Sequence, residues 1–146
     1  MTFSLLPCDA AGTPVPPLAH MPDALTANCQ GTAALYQRVG FVPPWIGYVA
    51  VVAGRGVGGG AFVGPPQGGV VEIAYYTLDE EQGRGHATQT AAALVALARA
   101  HTPDIALKAY TLMEENASTR ILHRLGFTRV GVAHDADAGD VWEWRT

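Results

Sequence analysis

Between Val70 and Thr90 the sequence reads VVEIAYYTLDEEQGRGHATQT, and its pattern changes halfway along. Residues 70–78 are mostly β-branched or aromatic, which is typical of a strand. From His86 to Ala100 apolar residues return at three- and four-residue steps, which predicts an amphipathic helix. Glycines 83 and 85 lie between these segments. The sequence therefore predicts a strand, a glycine turn and a helix in direct succession.

The surrounding segments predict one α+β domain over residues 1–146. Strand patterns at 46–52, 57–63 and 70–78 are separated by short glycine or proline turns, which indicates an antiparallel meander. A strand at 105–111 follows the helix, so its crossover makes a parallel pair. The other predicted elements are a strand at 3–6, helices at 23–39 and 116–125, and final strands at 127–133 and 141–144. The predicted fold is thus a mixed, mostly antiparallel sheet with flanking helices.

Composition excludes several classes of protein. Of 146 residues, 49% are hydrophobic and 15% are charged, which indicates a folded domain. The net charge of −4 argues against a nucleic-acid partner. No apolar run in the central helical pattern approaches the ~18 residues of a membrane span, and the first ten residues lack the basic start of a secretory signal, so we expect a cytoplasmic protein without membrane contact. Cys8 and Cys29 lack the spacing of a metal site or disulfide framework, and we expect no metal.

The segment from Gln82 to Ala87 carries the clearest chemical signal. Glycines before a helix let successive backbone amides point at one spot, and the helix N-terminus adds about half a positive charge. A pyrophosphate group would fit such a turn, and Arg84 could add a direct contact. The turn could equally be structural, because the chain contains 17 glycines. It lacks the lysine and hydroxyl residue of a P-loop and the glycine spacing of a dinucleotide fold.

Three motifs together resemble one family. Gln82, Gly85 and Ala87 form the pattern Q-x-x-G-x-A, which resembles the acetyl-CoA signature of the GNAT superfamily of N-acetyltransferases. The stretch 114–127 (EENASTRILHRLGF) looks like the later cofactor-side helix of that superfamily. Residues 71–75 (VEIAY) are similar to the strand that enters the signature. These motifs are most similar to those of the branch that contains ribosomal-protein N-terminal acetyltransferases. Together they cover about residues 70–127.

The resemblance implies a GNAT-like domain in which the parallel strands at 70–78 and 105–111 splay around the pantetheine arm of acetyl-CoA. Asn116 and Ser118 would reach the cofactor from the second helix, although Asn116 also suits a helix N-cap and Ser118 a small packing position. Gly126 and Phe127 fit a helix C-cap and a core anchor. The residues implied in cofactor binding are Tyr76, Thr77, Leu78, Gln82, Gly83, Arg84, Gly85, His86, Ala87, Asn116 and Ser118.

Glu72 is the candidate catalytic base, because it is the one acid within an otherwise apolar strand. Apolar surroundings raise the pKa of a carboxyl group, so Glu72 could accept a proton from an amine. A solvent-facing or ion-paired strand residue is the other interpretation. The resemblance implies an enzyme that transfers acetyl from acetyl-CoA to a primary amine, of a small molecule or a protein N-terminus, by direct attack. The alternative is an acyl-CoA-binding module without catalysis.

One position departs from the superfamily pattern. Many members carry a tyrosine five residues before the Gly-Phe phenylalanine, where it protonates the leaving thiolate. Here that position is Leu122. His123, Tyr110 and Tyr75 are other possible donors, and CoA could also leave as the free thiolate.

Overall fold

The computed structural model describes residues 2–146. Seven strands and three helices follow one another in the order β1, α1, β2, β3, β4, α2, β5, α3, β6, β7. The strands are β1 Phe3–Pro7, β2 Gly47–Val52, β3 Arg55–Phe62, β4 Val70–Thr77, β5 Ala106–Thr111, β6 Thr128–Asp135 and β7 Gly139–Arg145. The helices are α1 Asp23–Val39, α2 His86–His101 and α3 Ala117–Arg124, and a single 3-10 turn covers Asp79–Glu81.

The strands form one sheet in the order β1-β2-β3-β4-β5-β7-β6, in which β4 and β5 are parallel and the other neighbours antiparallel. The predicted α+β fold is therefore confirmed. Most element ends lie within one or two residues of the prediction; the final strands, for example, cover Thr128–Asp135 and Gly139–Arg145 instead of 127–133 and 141–144. Two differences concern the turns that flank β3 and β4. The 3-10 turn at 79–81 was not expected, and β3 begins at Arg55 instead of Val57. Ala53 and Gly54 both have positive φ, 52° and 75°, which lets two residues close the hairpin.

Helices cover both faces of the sheet. Val71 and Ile73 of β4 pack in one apolar cluster with Leu94 of α2 and Leu122 of α3. Tyr76, on the alternate face of β4, packs against a second cluster that contains Leu25 and Cys29 of α1. Odd-numbered residues of β4 therefore face α2 and α3, and even-numbered residues face α1.

The parallel pair β4–β5 is joined over three positions only. Val70 lies opposite Ala106, Val71 opposite Leu107, and Glu72 opposite Lys108. Beyond this point β4 continues beside β3 as far as Thr77, and β5 continues beside β7 as far as Thr111. The two central strands therefore diverge after Glu72 and leave a gap between them.

The glycines of β3 let β4 lie unusually close. A Cβ atom added to Gly58 would collide with the carbonyl oxygen of Tyr76. One added to Gly60 would lie 2.8 Å from Leu94 Cδ1 and 2.9 Å from the carbonyl oxygen of Ala74. Gly58 and Gly60 thus provide the close backbone approach that such residues indicate in a strand. A register shift opposite Ala50 and Val51 adds a bulge at the same place.

Helix α3 is short but defined at both ends. Asn116 caps its N-terminus, because its side-chain oxygen accepts a hydrogen bond from Thr119 N at 3.1 Å while Thr119 Oγ1 accepts one from Asn116 N at 2.9 Å. At the other end Gly126 has a φ of 88°, and its N–H donates to His123 O at 3.1 Å. Leu122, between these ends, is 0% exposed and fixes α3 to the core.

We predict that Leu122→Ala lowers the free energy of unfolding by about 2–5 kcal/mol, because it empties a fully buried position. Urea denaturation measures the change. Leu112→Ala is the matched control, since that side chain is 53% exposed and its loss should change stability by less than about 0.5 kcal/mol. Equal effects of the two substitutions would contradict the assignment of Leu122 to the core.

Candidate active site

A cavity of about 530 Å³ lies between the free half of β4, the glycine turn before α2, and α3. On β4 its lining starts at Tyr75, in the part of the strand that no longer pairs with β5. Eight of the residues that the sequence implied in cofactor binding line it: Tyr76, Thr77, Gln82, Gly83, Gly85, His86, Ala87 and Ser118. The fold thus brings residues from a strand, a turn and two helices to one opening.

The glycine turn is open toward solvent. Gly83 and Gly85 have φ values of 80° and 82°, a backbone conformation that strongly favours glycine. A Cβ atom built on either residue would meet nothing within 4 Å, so the space above both is free. Gly85 directly precedes the 16-residue helix α2, whose first N–H groups have no partner within the helix. The turn can therefore offer backbone donors to an anion.

Two polar side-chain atoms beside this turn lack partners. Thr77 Oγ1 and His86 Nδ1 are buried, and within residues 2–146 neither has a hydrogen bond. Both residues line the cavity. Buried polar atoms in folded proteins are nearly always paired, so two orphans at one opening indicate that the opening accommodates a polar ligand. The size of the cavity, these two polar atoms and the free amides of the glycine turn fit the pyrophosphate and arm of acetyl-CoA.

The backbone of β4 also points specific groups into the gap. Leu78 N donates to Val57 O, and Val63 N donates to Glu72 O, both at 2.9 Å. Antiparallel hydrogen bonding alternates along a strand, so residues 72, 74, 76 and 78 direct their backbone groups toward β3. Tyr75 and Thr77 consequently direct theirs toward the gap beside β5.

Three of the implied cofactor residues lie outside the cavity lining. Leu78 is 4% exposed in the second apolar cluster, and its amide is bonded to Val57. Asn116 uses its side chain as the cap of α3. Arg84 has its guanidinium Nη1 3.2 Å from Glu81 Oε1.

Glu81 joins the glycine turn to the β2–β3 hairpin. Its carboxylate accepts hydrogen bonds from Arg55 Nε at 2.8 Å and Nη2 at 3.1 Å, in addition to that from Arg84. The Glu81 side chain is 8% exposed, and the hydrogen bonds from Arg55 hold its pKa below the usual value. The bidentate contact with Arg55 fixes the entry to the turn.

Tyr75, which the sequence indicated only as a possible proton donor, also lines the cavity. The lining residues that the sequence did not indicate are Glu81, Thr88, Ala117, Arg120, Ile121 and Arg124. The four from α3 follow helical spacing, at 117, 120, 121 and 124. Once Ser118 was placed at the cavity, that spacing could have predicted Arg120 and Arg124. No motif identifies Glu81 or Thr88.

Glu72 lies at the point where the strands diverge, opposite Lys108. Its side chain is half-buried and belongs to the face of β4 that is covered by α1. Burial raises the pKa of Glu72, while the charges of Lys108 and Arg38 act in the opposite direction. Among residues 2–146 Glu72 forms no ion pair within 4 Å. A half-buried carboxylate without a fixed partner is suited to accept a proton.

A second cavity of about 230 Å³ lies on the same face as Glu72. Its lining includes Asn28 and Thr32 of α1 and Ala74 of β4. Tyr75 and Tyr76 line both cavities, so β4 separates the two spaces. Glu72 lines neither cavity, but it is two residues from Ala74 on the same side of the strand, a separation of about 6.6 Å.

The possible proton donors occupy different places. Tyr75 lines both cavities, and its hydroxyl donates to Ser118 O at 3.3 Å; burial raises the pKa of Tyr75 to about 12. His123 and Tyr110 line neither cavity. The exposed His123 ring packs edge-on against Trp144 at 4.9 Å between centroids. Of the three, Tyr75 is the one at the opening.

We predict that Glu81→Gln destabilises the protein at neutral pH and that the difference in Tm from wild type shrinks as pH falls. The native pKa of Glu81 is lowered, so its stabilisation is complete above the ordinary value of 4.5 and is lost as pH falls through the lowered native value. Thermal unfolding between pH 7 and 3 measures this. Glu80→Gln is the control, because Glu80 is exposed and unpaired within the described residues; an equal pH response in both variants would contradict the role of Glu81.

Two further observations concern residues 2–146. No group of three or more His, Cys, Asp or Glu side chains in this part of the chain could hold a metal ion. None of the helices described there has the length and apolar character needed to cross a bilayer.

Comparison with known proteins relates this geometry to a family. The family model described as "Acetyltransferase (GNAT) domain" matches residues 19–128. Comparison with curated protein sequences gave no match.

Solved structures share the fold. A crystal form of RimL, ribosomal L7/L12 alpha-N-protein acetyltransferase, is 21% identical with a TM-score of 0.69, over 100% of this chain and 93% of that one. RimL in complex with coenzyme A is 23% identical with a TM-score of 0.63, over 85% and 71%. YncA from Salmonella typhimurium, a putative acetyltransferase with its cofactor acetyl-CoA, is 18% identical with a TM-score of 0.66, over 100% and 94%. Because the family model covers most of the sequence, the resemblance is confirmed, and the chain belongs to the GNAT family of acetyltransferases.

Proposed function

We propose that this protein transfers the acetyl group of acetyl-CoA to a primary amine by direct attack. The observation that carries the proposal is the position of Glu72 at the divergence of β4 and β5, on the same strand whose later residues, from Tyr75 to Thr77, line the larger cavity. Family membership supports acetyl transfer in general. Structures with this fold that contain CoA or acetyl-CoA support the identity of the cosubstrate.

Acetyl-CoA would supply an activated acetyl thioester. Amides of residues 83–87 would hold its pyrophosphate, assisted by the N-terminus of α2. The backbone groups of Tyr75 and Thr77 would hydrogen-bond the extended arm, because they face the gap and lack a strand partner there. Thr77 Oγ1 and His86 Nδ1 would find partners in the same ligand.

The acceptor would approach from the α1 face, through the second cavity. Glu72 lies beside that cavity and would take a proton from the amine, directly or through a water molecule. The nitrogen would bond to the acetyl carbon while the carbon–sulfur bond breaks, giving the amide and CoA. Holding the amine and the thioester side by side would lower the activation barrier by several kcal/mol, the order of magnitude expected of well-oriented reactants. Neither cysteine is needed for this route.

The leaving sulfur would depart as the thiolate, because Leu122 has no proton to give and the Tyr75 hydroxyl already donates its proton to Ser118 O. The apolar Leu122 also supports a second candidate, an acyl-CoA-binding module without catalysis. Release of free thiol from acetyl-CoA in the presence of protein N-terminal peptides, polyamines, amino acids or aminoglycosides distinguishes the two and identifies the acceptor class. The cytoplasmic location stays a prediction, and cell fractionation tests it.

We predict that acetyl-CoA and CoA both raise the Tm, with stabilisation of about 2.7 kcal/mol at 100 times the dissociation constant. Gly85→Val should remove that shift, because its side chain would occupy the open space above the turn. Thermal unfolding with and without ligand is the measurement.

Gly139→Val is the matched control for backbone strain. Gly139 has a φ of 78°, has nothing within 4 Å of an added Cβ, and does not line the larger cavity. It should lose intrinsic stability as Gly85→Val does and yet keep the ligand-induced shift. A folded Gly85→Val protein with an unchanged shift would show that the turn does not bind the pyrophosphate.

We predict that Glu72→Gln lowers turnover by about 10²–10⁴-fold with little change in acetyl-CoA affinity, since a general base acts on the amine. In wild type, kcat/KM should fall as pH drops through the raised pKa of Glu72. Lys108→Met removes a positive charge that lowers the pKa of Glu72, so the fall of kcat/KM at low pH should begin at a higher pH in this variant. Turnover within threefold of wild type in Glu72→Gln would exclude Glu72 as the base.

A further inference from the structure

Two arginines form the cationic side of the larger cavity. Arg120 and Arg124 both line it, both are exposed, and they lie four residues apart on α3. Neither forms an ion pair with any residue between 2 and 146. Like charges at this spacing on a helix repel each other. The pair is therefore an unneutralised positive patch facing a space that receives a ligand.

The arginine of the glycine turn, Arg84, already forms an ion pair. Arg84 bonds to Glu81 at 3.2 Å, and Glu81 is shared with Arg55. The amides of the turn can hold one pyrophosphate without any side-chain charge. CoA carries a further phosphate monoester on the ribose 3′ oxygen, which is close to a dianion at neutral pH as other phosphate monoesters are. The turn has no free cation for this second anionic group.

We infer that Arg120 and Arg124 bind the 3′-phosphate of CoA and make the protein select phosphorylated CoA over 3′-dephospho-CoA. This inference rests on the proposed function. The guanidinium groups suit a phosphate because they present several N–H donors in a planar fork. They stand on α3 and line the same cavity as the turn that would hold the pyrophosphate. Arg124 also lies in the last turn of α3, where a cation stabilises the helix dipole, so the test separates ligand recognition from helix stability.

The experiment measures dissociation constants for CoA and 3′-dephospho-CoA by isothermal titration calorimetry. The proteins are wild type, Arg120→Gln, Arg124→Gln, the double variant, and Arg99→Gln as the control. Arg99 is an exposed helical arginine outside the cavity, so it reproduces the change in net charge. Thermal unfolding without ligand shows whether each variant is folded.

Wild type should bind CoA about 10- to 100-fold more tightly than 3′-dephospho-CoA, as expected of charged hydrogen bonds. Each single substitution should weaken CoA binding by about tenfold or less, and the double variant should lose the preference. Its affinity for 3′-dephospho-CoA should stay within about threefold of wild type. Arg99→Gln should keep the full preference, and raised salt should weaken CoA binding to wild type more than to the double variant.

Three results would overturn the inference. If wild type binds both ligands equally, the 3′-phosphate lies in water. If the double variant loses affinity for both ligands in parallel, the arginines act on the pyrophosphate or on the helix. If wild type binds neither ligand, the proposed function fails as well, and this outcome differs from the first two because CoA itself does not bind.

Discussion

The divergence of β4 and β5 after three paired positions is the constraint on which the site depends. Parallel neighbours normally continue to pair, because unpaired backbone groups in a sheet cost free energy. Here each strand is held instead from its outer side. Glycine-rich β3 lies close against β4, and Trp144 of β7 donates from Nε1 to Thr111 Oγ1 of β5 at 2.9 Å. The strands can therefore separate without loss of order.

The edge of β4 that faces the gap has the unpaired backbone groups with which a neighbouring strand would normally form hydrogen bonds. Tyr75 and Thr77 present backbone donors and acceptors to it, and an extended ligand with amide groups can replace the missing neighbour. At the end of the same strand the chain passes into the glycine turn and α2, where backbone amides collect. Under the proposed function, one continuous segment, 70–90, would bind both the extended arm and the phosphates.

The protein has a net charge of −4, so few of its charged side chains are available to bind an anion. A polyanionic ligand is opposed by that net charge, so local donors must bind it. In the proposed function the backbone amides of the turn would be these donors, and the Glu81 carboxylate beside them is neutralised by Arg55 and Arg84. Glu72 is separated from this region by the thickness of β4, since its side chain lies on the α1 face. A base and an anion site can therefore share one strand without direct repulsion.

Much of this was predictable from local pattern. The change from strand to helix around Gly83 and Gly85, the 23–39 helix and the caps at Asn116 and Gly126 follow from periodicity and from backbone preferences that act within a few residues. The order of these motifs also indicated the family. The sequence could not show the Arg55–Glu81 contact, because it joins a hairpin to a turn 26 residues later and depends on how the meander folds back.

The sequence by itself determined the elements, their order and the residue types available for chemistry, because these depend on short-range sterics and hydrophobic spacing. The tertiary structure alone decided which of them meet. It placed Leu122 in the core and Arg120 and Arg124 at the cavity, although all three belong to one short helix. It also directed the backbone of Tyr75 and Thr77 into the gap, since hydrogen-bonding direction is set by register with β3. Packing and register are properties of the whole sheet, and no local segment specifies them.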